Sequence, residues 1–478
     1  MMNAERQKPD ELPRPSADGA AAVPEGGSLS LEGMHGSVEV PKPQASFWKQ
    51  WRAFVGPAIL ISVGYMDPGN WGTDLAGGAQ FKYGLLWVVG LASLMAIFMQ
   101  VIAARLGVVT GKDLAQCCRD WYPSWTRWPN WLFCEVAIGA CDLAEVLGSA
   151  VALNLMFHIP LLWAVIITGF DVLLLLALQR FGMRTIEAIV LLLVATIGIC
   201  YFIEIFVLPQ MRPDFAEMGR GFFAPSLRQA GMTYVAIGII GATVMPHNLY
   251  LHSALVQSRR LQKDDASIRS AIRFNVIDST TALTLAFFVN AAIMVLAALV
   301  FFGKTSVTVA GGHTVQFSPD SDWIRIAYLT LAPLLGTAAA STLFVVALLA
   351  SGQSSTITGT LAGQVVMEGF MHWRISPWLR RLITRILAII PAVLIIGIRG
   401  DSSVNDLLTL SQVVLALQLP FAMFPLLHFT GSRQRMGAWK LGWPLLLAGW
   451  ASALLITGMD IWGLPDSLKS AWQVITGR

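Results

Sequence analysis

Apolar runs recur along the chain from residue 54 to residue 462, parted by short polar or charged connectors. A helix that spans a bilayer needs about 20 mostly apolar residues. The pattern predicts eleven spans: 54–80, 84–106, 131–156, 160–178, 185–208, 228–257, 277–302, 324–350, 382–398, 405–429 and 440–461. Two of them are interrupted near the middle. Span one carries Asp67, Pro68, Gly69 and Asn70, and span six carries Met245, Pro246, His247 and Asn248. A proline inside a helix removes one backbone hydrogen bond and crowds the preceding turn. Each interruption opens a block of five spans. Broken hydrophobic segments at matching places in two halves are the best sequence pointer to a transporter's binding site. Five is odd, so the halves must have opposite topology. The fold expected is therefore an all-α polytopic membrane protein built as a 5+5 inverted repeat with helices 1 and 6 discontinuous.

Composition agrees. The 478 residues are 55% hydrophobic and only 13% charged, against about 25% charged in soluble domains. Several soluble domains are excluded, and the net charge of +4 needs no nucleic acid to explain it, because the basic residues fall in particular loops. Loops rich in Lys and Arg are expected in the cytoplasm. Alternate connectors are the richer ones, as in Arg259, Arg260, Lys263, Arg269 and Arg273 after span six. This places the N-terminus inside and the C-terminus outside. Residues 1–45, rich in Pro, Gly, Ser and Glu, are expected to be a disordered cytoplasmic tail without a signal peptide. Residues 46–208 form the first repeat, 209–430 the second, and 431–478 the last span and C-terminus. Cys117, Cys118, Cys134, Cys141 and Cys200 show no metal-finger spacing. No structural disulfide is expected, and Cys141 reads as a small packing residue.

The breaks supply ligands. Unwound backbone frees carbonyl oxygens, tolerated at membrane depth only where they line a cavity or are buried in protein. Asp67, Asn70 and the Met245 sulfur, with the carbonyls of Gly64 and Ala242, could surround a cation. A lone Met or Pro in a membrane helix is ordinarily packing or a kink, but a buried Asp is expensive enough to be functional by default. A thioether suits softer transition metals better than Mg2+ or Ca2+. The donor set therefore favours Mn2+ or Fe2+, with Co2+ and Cd2+ expected to follow.

Candidate proton carriers lie nearby. Asp142 and Glu145 are three apart on span three and share a helical face. They read as a proton-carrying pair or as a structural pair bonded to neighbouring helices. His247, two residues past Met245, could hold a proton or form a hydrogen-bonding wall. His252 lies about 140° further round the helix, so the two histidines are no i,i+4 ligand pair. Arg381 and Arg385 share a face of span nine, with Arg380 offset. They either anchor the cytoplasmic end or pair Asp142 and Glu145 on a proton exit. Gln412 and Gln418 are polar groups in span ten that could serve as helix glue.

The quoted breaks, "DPGN" and "MPHN", resemble those of the Nramp family of proton-coupled divalent-metal transporters. "GATVMPHNLYLHSALVQSR" and "RLGVVTGKDLAQ" are similar to its bacterial manganese branch. The likeness covers about residues 50–462. It implies a LeuT-type fold and a metal site of Asp67, Asn70, Met245 and the Ala242 carbonyl, joined in some states by the Gly64 carbonyl and Gln412. Many relatives carry Ala at Gly64, and a backbone donor makes that change mild. One branch lacks the methionine and moves Mg2+; Met245 argues against it. The resemblance also implies a proton route through Asp67, Asp142 and Glu145, with both histidines linked to proton behaviour. The expected protein is a monomeric symporter of the bacterial plasma membrane, without cofactor or enzymatic activity. Two rivals are an amino-acid or amine transporter of the same fold and passive divalent permeation. No H-E-x-x-H helix or G-x-S-x-G elbow supports a membrane enzyme.

Overall fold

The computed structural model describes residues 35–170, 213–262, 264–308, 314–316, 323–335, 338–373, 375–400 and 404–476, with scattered positions between 185 and 203. The architecture is helical and the protein is a polytopic membrane protein. Among the described residues, eight helices are long and apolar enough to cross a bilayer.

A short amphipathic helix, α1 (Phe47–Phe54), leads into span one. That span is two half-helices, α2 (Pro57–Ser62) and α3 (Pro68–Phe81), joined through a 3-10 turn at Gly64–Met66. Both half-helices start with a proline at the first helical position, where the missing N–H costs nothing. Then come α4 (Leu86–Thr110), the amphipathic α5 (Leu114–Trp121), α6 (Arg127–Phe157) and α7 (Leu161–Thr168). The helix α7 begins the fourth expected span. The rest of that span, most of 185–208 and Cys200 lie outside the described residues. Outside the second break lies α8 (Phe215–Phe223), followed by span six as α9 (Met232–Val244) and α10 (Pro246–Leu255). The remaining helices are α11 (Asp265–Val300), α12 (Trp323–Leu335), α13 (Ala338–Met371), α14 (Pro377–Arg399), α15 (Val404–Gly431) and α16 (Trp443–Thr476).

Two expectations need correction. The span placed at 324–350 is two helices, and the membrane-length stretch is Ser341–Met371. Hydropathy missed its second half, "SGQSSTITGTLAGQ", because it is full of hydroxyls and amides. This helix is buried among other helices, and its hydroxyls bond their own backbone. Ser354 donates to the Ala350 carbonyl at 2.7 Å and Thr360 to that of Thr356 at 2.8 Å. The tail is also not featureless as far as residue 45. Val38–Glu39 (β1) pair in parallel with Arg259–Arg260 (β2), just after span six. Extended backbone needs a partner edge rather than a core, and the β2 segment supplies one. The second pairing, β3 (Ser306–Thr308) with β4 (Thr314–Gln316), is an antiparallel hairpin between α11 and α12.

One apolar cluster runs through nearly all of these helices. The helix α13 packs along α6, α11 along α3 and α4, and α15 along α9, α6 and α16. The two broken spans thus sit inside the bundle. Asp67, Asn70, Met245 and His247 are all buried.

Candidate functional site

At the first break, Asp67 is the N-cap of α3, and its Oδ1 accepts from the Asn70 backbone N–H at 2.8 Å. That satisfies one of the helix's orphan donors. It leaves Asp67 Oδ2 and Asn70 Oδ1 without a hydrogen-bond partner among the described residues. Burying unpaired oxygens is costly, so these two, one helical turn apart, are candidate donors to a cation.

Pro68 lies four residues after Gly64 and Pro246 four after Ala242. Each carbonyl would have bonded the N–H that the proline lacks. The Gly64 carbonyl instead meets the Asp67 N–H at a long 3.4 Å. The neighbouring unwound carbonyls are held by side chains. Asn290 donates to Tyr65 O at 2.8 Å, and Trp71 and Ser351 donate to Met66 O at 3.1 and 2.5 Å. The unwound carbonyls of the first break are thus satisfied by side chains of α3, α11 and α13 in this conformation.

At the second break, Met245 has φ +38° and joins the end of α9 to the start of α10. For a side chain with Cβ this backbone region is uncommon and costs about 1–3 kcal/mol. The two breaks touch. A methyl built on Gly64 would lie 3.0 Å from the Met245 sulfur and would overlap the Asn248 amide. The alanine expected to be a mild change there would press on both groups, so its effect reaches beyond the backbone carbonyl. Asn248 Nδ2 in turn points at the Met245 sulfur at 3.4 Å. The Gln412 amide of α15 lies against Gly69, within the Asp67–Asn70 turn, and Gln412 Oε1 is unpartnered among the described residues. Ala242 is buried on the last turn of α9. Among the described residues no three of His, Cys, Asp and Glu converge on one point. A cation here would be held by one carboxylate and neutral donors, a set compatible with release.

The second constellation lies beside the first. Gly148 of α6 packs on the Pro68 ring. One turn before Gly148, Glu145 accepts from Ser355 at 3.0 Å, Thr356 at 3.1 Å and Arg381 Nη2 at 3.0 Å. Arg381 Nη1 donates to Asp142 Oδ1 at 2.5 Å, so one guanidinium bridges both acids. Arg385 Nη2 donates to Thr356 Oγ1 at 3.1 Å, and its Nη1 stands 3.9 Å from Glu145 Oε2. Cys141, read as a packing residue, also points its thiol at Glu145 Oε1 at 3.8 Å. Arg380 is not part of this group. It pairs with both oxygens of Glu135, at 2.8 and 3.0 Å. Glu135 was missed by sequence reading, although it stands two turns before Asp142 on the same face. Asp74, two turns along α3 from Asp67, was also missed; it is buried and its Oδ2 has no partner among the described residues.

The histidines part company. His247, in the first turn of α10, is buried with Nδ1 unpartnered among the described residues. His252 sits in a separate chain: its Nδ1 is 3.0 Å from Gln100 Oε1, and Gln100 donates to the Tyr65 hydroxyl at 2.7 Å. Gln418 is buried on α15, well along from Gln412.

Comparison with known proteins matches this architecture. A family described as "Natural resistance-associated macrophage protein-like" (Nramp) matches residues 58–465. A divalent metal cation transporter MntH of Nostoc sp. is 51% identical over 441 residues, covering 92% of this chain and 96% of that protein. A protein of the same name from Xanthomonas campestris is 49% identical, covering 94% and 96%. The crystal structure of an Eremococcus coleocola manganese transporter, in complex with an aromatic bis-isothiourea compound, superposes with a TM-score of 0.80 at 37% identity, covering 94% and 96%.

Proposed function

The chain belongs to the Nramp family, a family of metal-ion transporters rather than enzymes, and on that premise we propose that it is a proton-coupled importer of Mn2+, carrying Fe2+, Co2+ and Cd2+ as well, in the bacterial plasma membrane. The cation is held between the two breaks by Asp67, Asn70, Met245 and the Ala242 carbonyl, with the Gly64 carbonyl and Gln412 joining in part of the cycle. The observation that carries this reading is the meeting of the breaks. The Met245 sulfur lies against Gly64, three residues before a buried carboxylate with a free oxygen.

Helix ends reinforce it. The carbonyl ends of α2 and α9 carry partial negative charge and favour a cation. An amino-acid substrate would need the N-terminal donors of α3 for its carboxylate, and the Asp67 carboxylate already takes one of them, the Asn70 N–H, and would repel a second carboxylate.

In the cycle, a hydrated dication enters from outside and exchanges part of its water for Asp67, Asn70 and Met245. The half-helices hinge at their breaks, close the outer side and open the inner one. Residues 46–208 and 209–430 act as the two repeats. A proton displaced from Asp67 passes toward Asp142 and Glu145, which Arg381 and Arg385 tune, with His247 as a relay beside the site. His252 and Arg380 stand further from this route. The N-terminus is cytoplasmic, the C-terminus outside, and the working unit is one chain.

Proteoliposomes with an internal pH dye test this. Mn2+ uptake should acidify the lumen, should be competed by Fe2+, Co2+ and Cd2+, and should fall to background in Asp67→Ala. Uptake without acidification would reject coupling, and competition by amino acids would reject a cation site.

A further inference from the structure

At the face expected to be cytoplasmic, α1 lies across the first turns of α11. Phe47 and Phe54 pack on Phe274 with ring centroids 5.4 and 5.5 Å apart. Beside this contact is a cavity of about 650 Å3, lined by Phe47, Gln50, Asp265, Arg269, Ser270 and Arg273, among others. Arg269 and Arg273 are one turn apart on α11 and so share a face. Both are exposed, and neither has a carboxylate partner among the described residues. Arg269 lies over the Trp439 ring at 5.8 Å. Among the described lining residues Asp265 is the one acid, so two guanidiniums face one carboxylate.

Depth identifies the ligand. The apolar stretch of this span begins near residue 277. At about 1.5 Å per residue, Arg273 lies about 6 Å before it and Arg269 about 12 Å. That is the headgroup layer of a bilayer. Phe47, in the lining, is 43% exposed, and Trp48, whose ring lies 5.4 Å from that of Phe47, is 71% exposed. An aromatic-rich amphipathic helix with basic neighbours lies in the interface plane and favours anionic lipid. A soluble phosphate compound would give those rings no reason to be bare.

We propose that this cavity binds an anionic phospholipid of the cytoplasmic leaflet, its phosphate on Arg269 and Arg273 and its glycerol and upper acyl chains against Phe47 and Trp48. The helix α1 runs into α2, the inner half of span one, after only two residues. The lipid therefore ties the start of the first broken helix to α11, and its occupancy bears on how freely that half-helix swings.

The test is binding of phosphatidylglycerol to the full chain in neutral detergent, read by native mass spectrometry and thermal shift. Phosphatidylcholine and free glycerol phosphate are the comparison arms. Wild type should bind phosphatidylglycerol with retention that weakens at high salt. The R269Q/R273Q double variant should bind about 30-fold more weakly, as expected for losing two basic groups at an anionic surface. Equal binding by the double variant, equal binding of phosphatidylcholine, or glycerol phosphate binding as tightly as the lipid would each overturn the proposal. Should the double variant melt below wild type without lipid, single variants decide. R273K must keep the lipid and R273Q must lose about 5-fold; the reverse refutes the site.

Discussion

Met245 holds a positive-φ backbone that is easier for glycine than for a residue with Cβ, yet the position carries a thioether. Glycine there would relieve strain, so the side chain must be worth keeping for what it does. The proposed role is selectivity, because a soft donor discriminates against hard cations rather than adding bulk affinity. Met245→Ala should lower Mn2+ uptake only in part while Ca2+ and Mg2+ begin to compete. Competition assays in proteoliposomes check this, and unchanged selectivity would show the sulfur to be packing only. Asp67 was legible from sequence because an acid in an apolar span has few structural excuses. Glu135 was not, because it sits near the end of its span, where a charge is ordinary, and only the fold brings Arg380 to it.

Single helices serve two tasks at once. On α13, Ser351 holds the unwound Met66 carbonyl, and one turn on, Ser355 and Thr356 hold Glu145. A rigid turn thus links the first break to the acid pair. Gly359, a turn further along, leaves room for the carboxylates; a methyl there would stand 2.9 Å from Glu145 Oε1. Asp142→Asn should reduce proton flux more than it reduces metal binding. Equal loss of both, measured by the pH dye and by calorimetric binding, would mark the pair as structural. The helix α5 offers a separate pH test outside the membrane. Its N-cap Asp113 accepts from the Gln116 N–H at 2.8 Å, but burial pushes its carboxyl up to about 7. The native state then keeps a proton that the unfolded chain, with an ordinary value near 4, has released. Stability contributed by this group therefore falls as pH rises from about 4 to 7, by up to about 4 kcal/mol. Asp113→Asn should flatten that fall, seen as a smaller drop in melting temperature between pH 5 and pH 8.

Over the whole molecule, the two ends of the bundle are tied differently. At the end expected to face outward, Lys82 at the end of α3 pairs with Glu217 of α8 at 2.5 Å, and both side chains are about one-third exposed. Such a pair is worth at most about 1 kcal/mol, weak enough to open in the proposed cycle. At the end expected to be cytoplasmic, the Arg259 guanidinium takes the carbonyls of Ala53 and Val55 at 3.2 and 2.9 Å, and β1 adds the tail to the same segment. The topology proposed from loop charge predicts that Ser37→Cys is labelled by an impermeant thiol reagent only from the cytoplasm, and Lys469→Cys only from outside. Labelling of both from one side would refute the odd number of spans.

The sequence by itself determined the membrane class, the two breaks and the residues at them, because apolar length and buried proline and aspartate are local properties that need no partner to be read. It misplaced the span at 324–350 because hydropathy treats hydroxyls as exposed polar groups, whereas α13 buries them against carboxylates and its own carbonyls. Only tertiary structure decided that Gly64 touches the Met245 sulfur, that Arg381 bridges Asp142 and Glu145 while Arg380 goes to Glu135, and that the tail pairs with β2. Each of these joins residues far apart in the chain, and no local periodicity records which helix face a distant side chain will meet.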